Sequence, residues 1–190
     1  MQNENPKGCF IAVIGPSGAG KDTIMDAARE ELKDDDRFHF VRRIITRPQM
    51  AGTEDHDSMD ETAFAKALEK GAFALHWQAH GLHYALPRSL EQEIGEGAIV
   101  IANVSRRVLD NIRAAYPRRS IVMITARPDV LANRLASRGR ETEQEIAARL
   151  SREVVFDNAA DDVVKIDNSD DVTTAIEAFL RHLRDVKHKS

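Results

Sequence analysis

The sequence has little of what marks secreted, membrane-embedded or nucleic-acid-binding proteins. Its single cysteine, Cys9, excludes a disulfide bond within the chain and is typical of proteins of the reducing cytosol. No apolar run approaches the roughly 20 residues that cross a bilayer, and the amino-terminal residues lack the pattern of a signal peptide. We therefore expect a soluble cytoplasmic protein that does not act at a membrane.

Excess positive charge is also missing. The 27 Lys and Arg residues are outnumbered by 31 Asp and Glu residues, which gives a net charge of −4 at pH 7. This balance argues against a nucleic-acid partner, so an anionic ligand has to be held by a local cluster of arginines. The length suits a single domain, residues 1–190, and leaves open whether the chain forms a homodimer.

The clearest motif is Gly15-Pro-Ser-Gly-Ala-Gly-Lys21, which follows an apolar run, Cys9–Ile14, and precedes a helical pattern. This order predicts a phosphate loop. The glycines let successive backbone N–H groups turn toward an anion, the helix directs its positive dipole end at the same phosphates, and Lys21 adds a mobile charge. We expect the segment to bind ATP or GTP through Gly15, Pro16, Ser17, Gly18, Ala19, Gly20, Lys21, Asp22 and Thr23.

Asp22 departs from the standard form of this motif. The standard loop has Ser or Thr after the lysine, and the hydroxyl binds Mg²⁺. A carboxylate is a good ligand for this hard cation, so we predict that Asp22 binds the metal, with the Thr23 hydroxyl one residue later. The alternative is an ordinary glycine-rich turn in which Asp22 caps the following helix.

Apolar runs alternate with helical patterns through most of the chain. We predict strands over 9–14, 38–45, 98–104, 121–126 and 162–166, and helices over 23–33, 88–96, 106–116 and 170–186. Such alternation is typical of a parallel sheet with helices on both faces. Together with the phosphate loop, it predicts the α/β fold of a P-loop NTPase, with a parallel sheet core flanked by helices.

Two stretches interrupt this alternation, approximately residues 46–86 and 129–157. The first has the pattern of a small mixed insertion, and its predicted parts are a polar loop over 49–57, a helix from Asp60 to Gly71, and a hairpin of strands 73–78 and 82–86. The second holds two helices rich in arginine. We expect the first stretch to bind the phosphate acceptor and the second to form a helical lid.

Motifs spread over nearly the whole chain resemble the guanylate-kinase branch of the nucleoside monophosphate kinases. They are the phosphate loop, Arg43-x3-Arg47-Pro48, Phe64, Gly71-Ala-Phe73, Tyr84, Arg134-Leu-Ala-Ser-Arg138-Gly-Arg140-Glu-Thr-Glu and Arg149-Leu150. Within that branch the sequence is similar to the ribose 1,5-bisphosphate phosphokinase family of phosphonate metabolism, through Gly20-Lys-Asp22, Ile44-Ile-Thr-Arg-Pro48, Leu75-x-Trp77-x-Ala79-x-Gly81-Leu82-x-Tyr84 and Arg138-Gly-Arg140-Glu. The resemblance implies a kinase that uses ATP and Mg²⁺ to convert ribose 1,5-bisphosphate into 5-phospho-α-D-ribose 1-diphosphate (PRPP).

The departures from guanylate kinases concern recognition of the base. A guanylate kinase resembling this chain has a glutamate at the place of His76 and aspartates near Ala102 and Val104. A site that hydrogen-bonds a base loses several orders of magnitude in selectivity without such partners. The pattern fits an acceptor with phosphates and no base. In many phosphate-loop enzymes an acid at the end of this buried strand also helps to hold Mg²⁺, and we predict that Asp22 supplies the carboxylate that position 102 lacks.

The resemblance also implies roles for residues on the acceptor side. Arg43 and Arg47 are expected to clamp the acceptor phosphate with paired hydrogen bonds, and Tyr84 to donate its hydroxyl to the same group. His76 and Asn103 are expected to bind the acceptor as well. For Tyr84 the alternative is a strand residue kept for packing.

Further roles fall on the nucleotide side. Arg134 and Arg138, four residues apart on one helix, are expected to contact ATP, and Asn168 to lie near the adenine. Arg149 is expected to bridge the two substrates when its helix closes. For such arginines the alternative is a solvated surface position or a pair with a nearby glutamate. The predicted catalytic residues are Lys21, Asp22 and Arg149.

The sequence leaves two other functions open. One is a nucleoside monophosphate kinase for GMP, and the other is an inactive guanylate-kinase-like module that binds proteins, which conflicts with an intact phosphate loop. A zinc site built from His56, His76, His80 and His83 is disfavoured because no cysteine accompanies them and the predicted hairpin separates His76 from His83. Hydrogen bonds from some of these histidines to ribose hydroxyls or phosphate are the preferred interpretation.

Overall fold

The computed structural model describes residues 8–48, 56–137 and 162–188. Its strands are β1 (Cys9–Ile14), β2 (Phe38–Phe40), β3 (Arg43–Ile45), β4 (His56–Ser58), β5 (Phe73–Ala79), β6 (Leu82–Pro87), β7 (Ile99–Asn103), β8 (Arg119–Thr125) and β9 (Val163–Asp167). Its α-helices are α1 (Lys21–Glu31), α2 (Glu61–Glu69), α3 (Ser89–Gly95), α4 (Leu109–Ala115), α5 (Pro128–Ser137) and α6 (Val172–His188). A 3₁₀ turn, Arg106–Val108, precedes α4.

Five strands form one sheet in the order β2-β7-β1-β8-β9. β2 pairs with β7, and β8 with β9, in parallel register. β1 and β7 are buried along their whole length, as is typical of central strands in a parallel sheet. The prediction of an α/β P-loop fold with a parallel sheet flanked by helices is confirmed.

The chain divides into two compact units. The first unit comprises Met1–Ala12, Leu32–Arg119 and Ser190, and the second comprises Val13–Glu31 and Ser120–Lys189. The division falls inside β1 and at the start of β8. The phosphate-loop segment belongs to the second unit, and the predicted acceptor-binding insertion belongs to the first. Such compact units do not by themselves decide the number of domains, so the single domain stays a prediction.

The first unit contains a four-stranded mixed sheet in the order β4-β3-β6-β5. β3 runs parallel to β4 and antiparallel to β6, while β5 and β6 form the predicted hairpin. His80 and Gly81 make its turn with φ angles of 52° and 73°. Two positive angles are the mark of a type I′ turn, whose twist matches that of its strands, so the prediction of a turn at His80-Gly81 is confirmed.

Helix α2 packs on this four-stranded sheet. Asp60 is its N-cap, and the Asp60 carboxylate accepts a hydrogen bond from the backbone N–H of Ala63 at 2.8 Å. Phe64 is buried with Phe73 and Ala85, and the two phenylalanine rings have centroids 4.7 Å apart. The predicted helix and its cap are therefore confirmed, and one apolar face of the helix anchors it to the sheet.

The segment predicted to be one strand, residues 38–45, is two strands in different sheets. β2 ends at Phe40, after which the N–H of Val41 donates to the carbonyl of Ile101 at 2.9 Å. β3 then begins at Arg43, opposite His56 of β4. Alternation of polar and apolar residues does not reveal this division, because it shows which face a residue occupies and not which strand it pairs with.

Two other boundaries differ from the prediction. His56 and Asp57, expected in a polar loop over 49–57, belong to β4, while residues 49–55 lie outside the described part of the chain. Pro87 ends β6, and the next helix begins at Ser89. A proline is tolerated at the end of a strand, where its missing N–H interrupts few ladder bonds.

Helices α1 and α6 both belong to the second unit. Arg184 of α6 lies 3.4 Å from the Glu31 carboxylate at the end of α1, and the side chains of Phe179 and Leu183 are fully buried. The second predicted helix of the lid, residues 142–157, lies outside the described residues. None of the helices described is long and apolar enough to cross a membrane.

Candidate active site

The phosphate loop connects β1 to α1. Gly15, Gly18 and Gly20 have φ angles of 147°, 86° and 87°, which residues with side chains rarely adopt. A Cβ atom at Gly15 would also lie 2.0 Å from the carbonyl oxygen of Ile124 on β8, so only glycine fits there. The glycine positions of the motif thus determine the shape of the loop.

Lys21 is the first residue of α1, and its side chain folds back onto the loop. Its Nζ donates to the carbonyl oxygens of Gly15 at 2.7 Å and Pro16 at 2.9 Å. These bonds hold the ammonium beside the loop backbone. A positive charge in that position can neutralise an anion that binds to the N–H groups of the loop.

Asp22 and Thr23 are exposed residues in the first turn of α1. The N–H of Ile24 donates to the carbonyl of Gly20 at 3.0 Å, so the helix is already formed at Asp22. The alternative in which Asp22 caps the helix from outside is therefore wrong. The exposed carboxylate of Asp22 and the exposed hydroxyl of Thr23 are oxygen donors of the kind that Mg²⁺ prefers.

Two residues from distant parts of the sequence contact the loop. The Nδ2 of Asn168, directly after β9, donates to the carbonyl of Ala19 at 2.8 Å, and the Asn168 side chain is buried. Arg134 of α5 approaches the carbonyl of Gly18 with an N–O distance of 3.4 Å. The sequence analysis assigned Asn168 and Arg134 to the nucleotide side. In the structure both side chains lie beside the backbone of the phosphate loop.

Arg138, Arg140 and Arg149 lie outside the described residues, so the roles predicted for them stay predictions. Arg127 has no predicted role, yet its backbone N–H donates to the hydroxyl of Ser169 at 2.7 Å and its guanidinium to Asp170 at 2.9 Å. The bond to Asp170 raises the pKa of Arg127 above its usual value. No sequence signal indicates these contacts, because the partners are more than 40 residues apart in the sequence.

In the first unit, Arg43, Tyr84 and Trp77 form a stack on the four-stranded sheet. Trp77 and Tyr84 face each other across β5 and β6, with ring centroids 5.5 Å apart and planes inclined by 7°. The guanidinium carbon of Arg43 lies 5.8 Å from the centroid of the Tyr84 ring, within the range of a cation–π contact. Trp77 and Tyr84 are both buried, so Arg43 rests on a rigid aromatic base.

The chain that leads from Arg43 to Arg47 is fixed by neighbouring strands. The N–H of Thr46 donates to the carbonyl of His83 at 3.0 Å, and the Thr46 hydroxyl accepts from the N–H of His83 at 2.9 Å. The carbonyl of Arg47 lies 3.4 Å from the Nε2 of His56, whose side chain is fully buried. Thr46 and His56 are thus positioning residues that sequence reasoning missed. Their only sequence signal is proximity to the arginine motif.

His76 lies apart from the stack of Arg43, Tyr84 and Trp77. It is exposed and is opposite Ala85 in the strand register. Because successive residues of a strand point to opposite faces, His76 is on the other face of the sheet from its neighbour Trp77. The described residues thus bring Arg43 and Tyr84 together and leave His76 separate from them.

Asn103 is the last residue of β7 and is buried. Its neighbours Ala102 and Val104 are buried apolar residues. The positions at which a guanine-reading carboxylate is expected therefore carry only apolar side chains here, as the sequence indicates. Asn103 contributes the one polar side chain among the three.

The remaining candidates for a metal site or a nucleophile do not form one. Residues 8–48, 56–137 and 162–188 contain no group of three His, Cys, Asp or Glu side chains placed to hold a metal ion. His80 lies in the hairpin turn, and the ring of His83 packs 5.3 Å from that of Phe64. Burial raises the pKa of Cys9 to about 11, which keeps the thiol protonated and unreactive at neutral pH.

Comparison with known proteins places this arrangement in a family. A family model described as guanylate kinase matches residues 7–183. A ribose 1,5-bisphosphate phosphokinase from Brucella melitensis is 66% identical over 190 residues, covering 100% of this chain and 99% of the relative. A ribose 1,5-bisphosphate phosphokinase from Agrobacterium fabrum is 44% identical over 175 residues, covering 92% of this chain and 96% of the relative.

Solved structures show the same fold at low sequence identity. The crystal structure of a guanylate kinase from Anaplasma phagocytophilum superposes with a TM-score of 0.70 at 16% identity, covering 95% of this chain and 86% of that one. A gluconokinase from Sinorhizobium meliloti gives a TM-score of 0.54 at 15% identity, covering 97% of this chain and 95% of that one. At such identities the likeness concerns the fold alone.

Proposed function

Because the chain belongs to the guanylate kinase family, and within it to the ribose 1,5-bisphosphate phosphokinases, we propose that it transfers the γ-phosphoryl group of ATP to ribose 1,5-bisphosphate. The products are ADP and PRPP. The chain is a phosphotransferase, and the choice of donor and acceptor is the content of the proposal.

The observation that supports the acceptor assignment is an arginine on the acceptor side combined with the absence of side chains that would recognise a base. The guanidinium of Arg43 lies over the Tyr84 ring, and a guanidinium can bind phosphate through two parallel hydrogen bonds. His76 stands on the other face of the sheet, and Ala102 and Val104 are apolar, so the expected guanine-binding carboxylates are absent. An acceptor with two phosphates and no base matches these residues better than GMP does.

The second unit supplies the donor site. In the proposed complex the backbone N–H groups of the phosphate loop and the Lys21 ammonium surround the outer phosphates of ATP. Asp22 and Thr23 fit Mg²⁺ because they present hard oxygen donors at the first turn of α1. When bound, the metal neutralises part of the phosphate charge.

The proposed reaction needs no general base from the protein. An oxygen of the acceptor's 1-phosphate is already ionised at neutral pH, since the second pKa of a phosphate monoester is about 6. That oxygen forms a bond to the γ-phosphorus of ATP, and the bond from the γ-phosphorus to the β–γ bridging oxygen breaks, so the electron pair leaves with ADP. Catalysis is then positioning and charge neutralisation, for which Lys21, Arg43 and Arg47 are suited.

ADP release tests the proposal. The chain is supplied with Mg-ATP and either ribose 1,5-bisphosphate or GMP at equal concentration. We expect ADP release with the sugar bisphosphate and none above background with GMP. Release with GMP alone would make the chain a guanylate kinase, which is the alternative that the match to the guanylate kinase family model leaves open.

A further inference from the structure

Asn168 ties the phosphate loop to the end of the sheet in the second unit. Its backbone N–H donates to the carbonyl of Thr125, the last residue of β8, at 2.7 Å. Its side-chain Nδ2 donates to the carbonyl of Ala19 in the loop at 2.8 Å. The residue is only 2% exposed, so both bonds are shielded from water.

Gly20 makes room for this amide. A Cβ atom at Gly20 would lie 2.4 Å from the Nδ2 of Asn168, closer than real side-chain atoms approach. The glycine is therefore required here by Asn168 as well as by its own φ angle of 87°. Gly20 of the phosphate loop and Asn168, 148 positions later in the sequence, are thus packed directly against each other.

The oxygen end of the Asn168 amide argues against a role in stability alone. The Oδ1 of Asn168 is buried and finds no hydrogen-bond partner among the described residues. The two amide atoms cannot be exchanged, because the Ala19 carbonyl needs a donor and only Nδ2 can provide one. A buried acceptor without a partner costs free energy, which offsets part of the stability gained from the bond to Ala19.

From these contacts we propose that Asn168 is a positioning residue that fixes the phosphate-binding shape of the loop and does not select the adenine base. The carbonyl of Ala19 and the N–H of Gly20 belong to one planar trans peptide and point in opposite directions. Holding the Ala19 carbonyl on Asn168 therefore directs the Gly20 N–H away from Asn168, and in the proposed complex this N–H donates to the phosphate. This inference rests on the proposed role of the loop in binding ATP and is independent of the acceptor.

The test separates phosphate binding from base binding by using two ligands. Binding of inorganic tripolyphosphate and of ATP, each with Mg²⁺, is measured by calorimetry for the unaltered chain, Asn168→Leu and Asn168→Ala. Leucine has nearly the shape of asparagine but no donor. Ser169→Ala is the matched control, because the Ser169 hydroxyl donates to the Asp167 carboxylate and accepts from the N–H of Arg127 in the same turn.

The expected result is that both Asn168 variants bind tripolyphosphate and ATP more weakly by the same factor, about tenfold, while Ser169→Ala binds both normally. Loss of ATP binding with normal tripolyphosphate binding would make Asn168 a reader of adenine and overturn the inference. Normal binding of both ligands would also overturn it. If the unaltered chain bound neither ligand, the proposed ATP function itself would fail.

A second measurement covers the case in which neither variant folds, which urea unfolding of each variant reveals. The exchange of the Asn168 side-chain amide protons with water is then followed by NMR in the unaltered chain. Slower exchange on addition of tripolyphosphate is expected if the bond to Ala19 belongs to the phosphate-bound loop. Unchanged exchange would contradict the inference.

Discussion

In the proposed function, the two units of the chain bind phosphate in different ways. In the second unit most of the positive potential comes from the backbone of a loop whose shape is set by Gly15, Gly18 and Gly20. In the first unit it comes from a side chain, that of Arg43, which lies on the ring of Tyr84. The first kind of site depends on local sequence, whereas the second depends on which strands pair.

Because of this difference, we expect mutations in the two units to affect different substrates. A change in the loop should alter the handling of ATP and leave the acceptor affinity intact, and a change in the stack should do the reverse. The KM values of the two substrates therefore distinguish a change in the loop from a change in the stack.

Replacing Lys21 with Met should have the largest effect. The ammonium held by the carbonyls of Gly15 and Pro16 is lost, and kcat should fall on the order of 10²–10³-fold, as for other removed donors to a transferring group. Steady-state kinetics measures this. Lys165→Met changes an exposed residue of β9 in the same unit. It removes an equal charge and should leave kcat unchanged. A similar loss in both variants would mean that net charge matters and the position of Lys21 does not.

Replacing Arg43 with Lys should weaken the binding of ribose 1,5-bisphosphate and not that of ATP. Lysine keeps the charge but loses the planar fork and the contact with Tyr84, so the KM for ribose 1,5-bisphosphate should rise about tenfold, with the KM for ATP unchanged. Arg42→Lys is the matched control, because Arg42 contacts the backbone of His56 and the carboxylate of Asp57 instead. Equal effects of the two changes would remove the special role of the stack.

Replacing Asp22 with Ser restores the standard motif and tests the metal. The Mg²⁺ concentration for half-maximal rate should rise by about tenfold, equivalent to about 1.4 kcal/mol of metal-binding free energy. The affinity for ATP measured without metal should change little, because the loop backbone is intact. If both quantities changed equally, Asp22 would be acting on the nucleotide and not on the cation.

Replacing Thr46 with Val tests whether the strand pairing positions Arg47. Valine has the shape of threonine without the hydroxyl that accepts from the N–H of His83. The loss of this hydrogen bond removes about 1 kcal/mol of the free energy that positions Arg47, so the KM for the acceptor should rise about fivefold. Thr46→Ser retains the hydroxyl and should recover most of the affinity. A serine variant as weak as the valine variant would attribute the effect to packing.

The smallest predicted effect is on stability. In the first unit the Nδ1 of His39 lies 2.9 Å from the Glu93 carboxylate, and this bond raises the pKa of His39 above its usual value. The bond therefore stabilises the fold fully below the unfolded pKa near 6.5, and its contribution disappears as pH rises through the folded pKa. Urea unfolding of the chain and of His39→Gln should differ by less than about 1 kcal/mol at pH 5.5 and converge at pH 8.5. A difference that grew with pH would contradict this.

The sequence predicted the second unit better than the first. The end of β1, the phosphate loop and the start of α1 lie within a few consecutive residues of this unit, and the predicted bounds of β1 and α1 agree with the structure to about two residues, within the usual uncertainty of such assignments. The bond from Asn168 to Ala19 could not be predicted, because it joins residues 149 positions apart. Local sequence patterns predict the shape of the loop but not its hydrogen bond to Asn168.

In the first unit the elements were predicted and their pairing was not. The hairpin and α2 follow from turn and capping residues, which act locally. The division of residues 38–45 into β2 and β3 depends on partners in two different sheets. The stack of Arg43, Tyr84 and Trp77 likewise depends on strand register, so Arg43 and Tyr84 were predicted individually and their contact was found only in the structure.

The most direct test of the central claim is a competition between the two acceptors. Ribose 1,5-bisphosphate and GMP are mixed in equal amounts with limiting Mg-ATP, and the products are identified by ³¹P NMR. We predict that the γ-phosphoryl group appears in a new diphosphate on carbon 1 of the ribose, with no GDP formed. GDP as the main product, or ATP left unconsumed, would contradict it.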